Sequence, residues 1–252
     1  MNIDYHKDYS QAFYQKHVSG MSDSASVILG MMYRLYHPQS VIDVGCGQGA
    51  WLKTAESFGA TRLKGLDGDW IKQDNLLSRN IDFTPVNFDR TFPALNEKFD
   101  LCISLEVAEH ISERNAENFV DLLCQASDTV LFGAAIKYQG GTNHINEQWQ
   151  SYWIDKFKAR AYQCFDCIRG QVWDNEAVEW WYRQNAFLFI GPNNVSVDTE
   201  ILKTLQMPML NVAHPINYEN KIHDFRHQID NPTFRFWAGC AKRWLSNKLV
   251  KP

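Results

Sequence analysis

Two groups of residues in this chain have the types and spacing that chemistry requires. The first is Asp43-Val-Gly45-Cys-Gly47-Gln-Gly49. Glycines at alternate positions permit a tight turn and let the backbone approach a ligand closely. A glycine loop that follows a strand and opens a helix is a setting in which nucleotides are held. Ala50 stands where the dinucleotide pattern has its third small residue, and Asp67 ends the next strand, where a carboxylate can accept hydrogen bonds from ribose hydroxyls; both features suit more than one nucleotide. The second group is acidic and imidazole-bearing. Glu106, Glu109 and His110 are spaced E-x-x-E-H, and His144 and Glu147 follow in NHINEQW after a later strand. The carboxyl ends of neighbouring parallel strands face one crevice, so the two sets can converge. Two readings stand open. Glu106, Glu109, His110 and His144 can hold a divalent cation that binds a vicinal diol and lowers a hydroxyl pKa. Alternatively His144 or His110 takes the acceptor's proton directly.

These residues need elements to position them. Residues 1–36 read as a helical lead-in, with Ser22 or Ser24 capping a helix that carries Val27, Ile28, Met31, Met32 and Leu35 at helical spacing. VIDVG, RLKGLD, FTPVNF, FDLCISLEV, DTVLFGAAI, CFDCIRGQVW and NAFLFIG read as seven strands, the last two able to pair antiparallel. Helices are expected in GAWLKTAESFG, in the segment opened by Ser112, and in NEQWQSYWIDKFKARAY, where Trp149, Trp153 and Phe157 recur every fourth residue. Alternating strands and helices imply an α/β fold: a doubly wound, mostly parallel, Rossmann-like sheet of seven strands. The expected domain spans 37–191, and 192–252, which opens on the turn-rich GPNNVSVD, is expected to be a C-terminal appendage.

With these elements in place, the sequence resembles the class I S-adenosylmethionine-dependent methyltransferases. VIDVGCGQGAWL looks like their first motif, GLDGDW like their second, and KFDLCISLEVAEHI like the strand that carries the transfer site; the resemblance covers roughly 38–192. It implies that Asp43, Gly45, Gly47 and Gly49 frame the methionine end of the cofactor, Asp67 holds the ribose, Asp89 lies near the adenine, and Leu105 and Glu106 line the transfer side. The E-x-x-E-H segment with a later histidine also resembles the small-RNA 3′-terminal 2′-O-methyltransferases, which hold magnesium or manganese there. Part of it resembles the ubiquinone-pathway O-methyltransferases.

Composition bounds the rest. The 252 residues carry 25 Lys+Arg against 29 Asp+Glu, a formal net charge of -4 that argues against a nucleic-acid binder relying on phosphate neutralisation. No apolar run approaches the ~20 residues of a membrane-spanning helix, and MNIDYHKDYSQAFYQ has no apolar signal core. Six scattered cysteines make no disulfide framework, and the Cys164/Cys167 pair has no second CxxC to complete a zinc site, so a reducing cytoplasm is expected.

Nine tryptophans is a high number, and Trp149, Trp153, Trp173, Trp180 and Trp181 cluster together. Core packing accounts for most, Trp153 above all. Aromatics interleaved with amides and carboxylates in NEQWQSYW and VWDNEAVEWWYRQN also suit a sugar, and the combination resembles methyltransferases associated with bacterial polysaccharide and glycan modification. The expected function is therefore O-methylation of a sugar, nucleotide-sugar or glycan-linked group. The alternatives are another small acceptor, phenolic or phosphate-type, and a nicotinamide-dependent sugar oxidoreductase. Finally, Phe234, Trp237, Ala241, Trp244 and Leu245 share one helical stripe, while Arg235, Lys242, Arg243, Lys248 and Lys251 supply only positive charge. That helix either docks on the catalytic domain or lies on an anionic membrane.

Overall fold

The structure is a computed structural model that describes residues 11–206 and 211–249. The first ten residues of the expected lead-in, and Lys251, lie outside that range. The chain divides into two compact units, Met1–Val212 and Ala213–Pro252. The division falls after Val212 and not after Gly191, because Val197 and Leu202 are buried in the same core cluster as the sheet.

The first unit holds β1 (Ser40–Val44), β2 (Arg62–Asp67), β3 (Ile81–Pro85), β4 (Leu101–Leu105), β5 (Thr129–Gly133), β6 (Gln163–Phe165) and β7 (Phe187–Ile190), in the order β3-β2-β1-β4-β5-β7-β6. Six strands run in one direction, and β7 alone is reversed, antiparallel to both β5 and β6. Every residue of β1, β4 and β5 is buried, which is why these strands read as apolar without alternation. Strand order reverses between β1 and β4, and this opens a crevice at their carboxyl ends.

Helices cover both faces. One face packs against α1 (Gln11–Met32) and α2 (Ala50–Ser57); the other packs against α3 (Ala116–Ala126) and α4 (Gln150–Lys158). The α2 helix stops where Gly59 takes a φ of 104°, a conformation that glycine adopts without strain. On α4, Trp153 and Phe157 point inward as their spacing predicts. Phe132 of β5 lies 5.5 Å from Trp153 and 5.3 Å from Phe157, which stacks on Phe189 of β7 at 4.0 Å. Trp149 precedes this helix as its N-cap residue and is exposed.

Four local expectations are corrected. Ser22 and Ser24 lie inside α1 and cap nothing; the Ser24 hydroxyl donates to the Gly20 carbonyl at 2.6 Å and accepts from the Glu179 N–H. The third strand begins at Ile81 and ends at Pro85, before VNF. Ser112 opens a 3-10 turn, Glu113–Asn115, ahead of α3. CFDCIRGQVW is not one strand. The chain leaves the sheet after Phe165 and forms the short helix α5 (Arg169–Val172), followed by α6 (Trp180–Asn185). Asp166 and Arg169, both fully buried, form a two-pronged ion pair there, with Arg169 Nε 2.9 Å from Asp166 Oδ1. Alternation in that stretch reflected a buried polar pair and not a pleat. The helix α7 (Thr199–Leu205) completes the first unit, and the second contains α8 (Pro215–Asp230) and α9 (Phe234–Leu249). His214 accepts from the Ile216 N–H and so caps α8.

Candidate active site

The loop after β1 is built on left-handed backbone. Gly45, Gly47 and Gly49 take φ values of 92°, 52° and 82°. A Cβ on Gly45 would fall 2.2 Å from Val107 Cγ2, and one on Gly49 would fall 2.5 Å from Ile81 Cδ1, so close packing reinforces the backbone requirement. The Gly47 N–H donates to Asp67 Oδ2 at 2.7 Å, and the Gly68 N–H donates to Oδ1 at 2.6 Å. Asp67 thus ties the end of β2 to the glycine loop. Burial pushes its carboxyl up to about 6, with the two N–H donors pulling the other way. Asp43 is buried with Oδ2 lacking a hydrogen-bond partner among the described residues, and burial, then the neighbouring Asp67 charge, hold its pKa well above the carboxylate range. An orphaned buried oxygen beside a glycine loop is what a cradle for a polar ligand requires.

These groups open on a cavity of about 460 Å³. Asp43, Gly45, Gly47, Asp67, Asp89 and Leu105 line it; Gly49 stands just behind, where α2 starts. The Asp89 carboxylate has a structural duty as well, because its Oδ1 accepts from the Ser112 hydroxyl at 2.9 Å and from the Ser112 N–H at 3.1 Å.

Glu106, His110 and His144 line the same cavity. Glu106 follows β4 with a φ of 57°, a strained value for a residue with a side chain. Its carboxylate is held by two amides: Gln139 Nε2 donates to Oε2 at 2.8 Å and Asn185 Nδ2 to Oε1 at 2.9 Å. Burial pushes Glu106 up to about 7 against those donors. Glu109 is fully buried, and neither carboxylate oxygen meets a donor in hydrogen-bonding geometry among the described residues. Burial, then the Glu106 charge, hold it well above the usual range.

The histidine loop converges on Glu109 through its backbone: the Ile145 and Asn146 N–H groups both donate to the Glu109 carbonyl at 2.9 Å. His144 Nδ1 lies 2.9 Å from Glu147 Oε1, which turns Nε2 toward Glu109 Oε1 at 3.9 Å. His110 Nδ1 faces the Asn143 carbonyl at 3.3 Å, and its ring meets that of His144 edge-on at 4.8 Å. Burial, then His144, push His110 down to about 4. A Cβ on Gly141 would strike the His144 ring at 2.3 Å, so the glycine makes room for the histidine.

Glu109, His110 and His144 each offer a ligand atom within 4.8 Å of the others, the spacing of a metal site. The orphaned Glu109 oxygens, and a Glu147 partner that fixes the His144 tautomer, fit a cation. Glu106 stands outside that cluster, and each of its oxygens accepts from an amide. Three of the four expected ligands therefore come together at that spacing.

Sequence reasoning missed Gln139 and Asn185, which clamp Glu106, and Trp51, Trp70 and Tyr182, which line the cavity. Glutamine and asparagine carry no spacing signal of their own, though Asn185 closes the WWYRQN run. Of the clustered tryptophans, Trp180 and Trp181 line the cavity, Trp153 is core, and Trp149 and Trp173 are not on the wall.

No protein-family model matches the chain. It is 28% identical over 99 residues to the mitochondrial ubiquinone biosynthesis O-methyltransferase of Dictyostelium discoideum; the match spans 33% of this chain and 30% of that relative. Among solved structures, a chain from a Haloferax volcanii complex containing the Trm112 methyltransferase activator is similar with a TM-score of 0.56 and 13% identity, over 76% of this chain and 98% of that one. DhpI in complex with SAH gives 0.52 and 16%, over 75% and 95%. An O-methyltransferase family protein from Burkholderia thailandensis gives 0.51 and 14%, over 71% and 58%. Strand order, the switch-point crevice and these likenesses together show that the chain has the class I methyltransferase fold.

Proposed function

We propose that the chain is an S-adenosylmethionine-dependent O-methyltransferase whose acceptor is a sugar, nucleotide-sugar or glycan-linked hydroxyl. The observation that carries this reading is that the glycine loop and Asp67 line the same cavity as Glu106, His110 and His144. S-adenosylmethionine supplies a methyl group on a sulfonium. The chain supplies the rest: Asp67 holds the ribose and the glycine loop that it braces frames the methionine end, with the Asp43 oxygen available to a donor. In-line displacement needs the acceptor oxygen aligned and its proton accepted. Glu109, His110 and His144 would hold magnesium or manganese, which lowers the hydroxyl pKa. Without a cation, His144, backed by Glu147, stands as the base. The Dictyostelium relative is named an O-methyltransferase, which supports oxygen as the methylated atom. Trp180, Trp181 and Tyr182 beside Gln139 and Glu106 suit a sugar's apolar face and hydroxyls. A phenolic or phosphate-type acceptor is the other occupant of such a wall.

Calorimetric titration with S-adenosylhomocysteine and with NADH tests the cofactor. Tight binding of the first is expected; binding of NADH alone overturns the reading. Methyl transfer to a sugar panel, with and without EDTA, then tests the rest. If the cation acts, EDTA abolishes turnover and manganese or magnesium restores it. Full activity in chelator leaves His144 or His110 as the base.

A further inference from the structure

The α9 helix carries an apolar stripe that the fold leaves exposed. Phe234 is 90% exposed, Trp237 60%, Trp244 58% and Leu245 53%, and helical spacing puts all four on one side with Ala241. Large apolar side chains gathered in this way on a surface mark an interaction site. The charge along the same helix has one sign. Arg235, Lys242, Arg243 and Lys248 lie within it, and from Phe234 to Pro252 there is no Asp or Glu. The net charge of the whole chain is -4, so this helix stands against the trend of the molecule.

Helical spacing sets Arg235 and Lys242 beside the stripe, where long cationic side chains reach outward while their stems cover apolar surface. No helix of the described residues is long and apolar enough to cross a membrane, so a bilayer contact here is one of lying on the surface. Tryptophan favours the headgroup zone, where one edge of the ring is wet and the other is not. A second copy of the chain is the competing occupant. Charge disfavours it, because two such helices facing each other bring cations against cations with no acid between them.

We propose that α9 binds the surface of an anionic lipid bilayer, with Phe234, Trp237, Trp244 and Leu245 seated among the headgroups and its cations on the lipid charges. This goes beyond the methyl-transfer reading and does not depend on it. The helix would bring the enzyme to acceptors held at a membrane.

Co-sedimentation of the full chain with vesicles tests this, comparing phosphatidylglycerol-rich vesicles with pure phosphatidylcholine. The expected result is partition onto the anionic vesicles at low salt, loss of most of it at ~1 M salt, where the Debye length falls to about 3 Å, and little binding to phosphatidylcholine. The double variant Arg235→Ser/Lys242→Ser should weaken partition roughly 25-fold, about fivefold per cation, the equivalent of ~1 kcal/mol each. Trp237→Ser/Trp244→Ser should abolish it, with the circular-dichroism melting curve unchanged as the control for folding. Protein left in the supernatant with anionic vesicles at low salt overturns the proposal. So does binding that is equal on both vesicle types. A lipid-free mass that rises with concentration and returns to monomer in the tryptophan variant, without vesicle binding, would assign the stripe to a second copy instead.

Discussion

Asp67 shows how one side chain can set both loop geometry and ligand affinity. Its two oxygens already accept from the Gly47 and Gly68 N–H groups, and each carboxylate oxygen keeps a further lone pair for a ribose hydroxyl. Asp67→Ala removes a charge-assisted pair of hydrogen bonds, ~1.5–3 kcal/mol, and S-adenosylhomocysteine affinity should fall about ten- to hundredfold. Unchanged affinity would refute the assignment. The raised pKa adds a pH signature whose two signs are opposite. The fold favours the protonated form, so this group's contribution to stability is full below the ordinary value of 3.8 and is lost as pH rises through about 6. Ribose hydroxyls donate to the ionised form, so affinity should rise with pH through about 6 and then level. Titration calorimetry at pH 5 and pH 8 should differ by about tenfold, and Asp67→Asn should flatten the difference. Asp43, the glycines and Asp67 were legible in the sequence because backbone conformation and strand ends dictate their residue types. The partners of Glu106 were not, because Gln139, in the turn after β5, and Asn185, at the end of α6, meet it only in the folded chain.

Legibility changes at the scale of elements. Central strands were readable because burial on both faces leaves a continuous apolar run, as in LCISL and TVLFG. The β6 region was misread because its alternation comes from Asp166 and Arg169 turning inward to meet each other. Arg169 also donates to the Gln184 carbonyl at 3.1 Å and lies 4.2 Å over the Phe187 ring. This pair locks α5 to α6 and β7, and α6 carries two of the cavity tryptophans, Trp180 and Trp181. Removing one partner leaves the other charge buried and uncompensated, a cost of ~3–5 kcal/mol. Asp166→Ala should therefore lower the melting temperature by on the order of 10 °C. An apolar pair of similar volume, Asp166→Leu with Arg169→Met, should recover much of that loss. A melting temperature that Asp166→Ala leaves unchanged would mean that the pair carries no stability.

At the scale of the molecule, the question is where the catalytic unit ends. A turn-rich GPNNVSVD suggested a boundary after Gly191, since Gly, Pro and Asn interrupt strands and helices alike. Packing gives a later one. Val197 and Leu202 are buried with the sheet, Gln150 Nε2 donates to the Val212 carbonyl at 2.8 Å, and the Ser151 N–H donates to Asn211 Oδ1 at 3.0 Å. Local turn chemistry cannot reveal such contacts, because they are made with elements far back in the chain. All the residues that line the cavity precede this point. Two truncations separate the boundaries. A chain ending at Val212 keeps both hydrogen bonds and the buried leucine, so it should melt within a few degrees of the full chain and bind S-adenosylhomocysteine with unchanged affinity. A chain ending at Gly191 uncovers the surface under Leu202, and losing one buried leucine alone costs ~2–5 kcal/mol. That should lower the melting temperature by ~5–20 °C at this size. Equal stability of the two truncations would restore the earlier boundary and make 192–212 a linker.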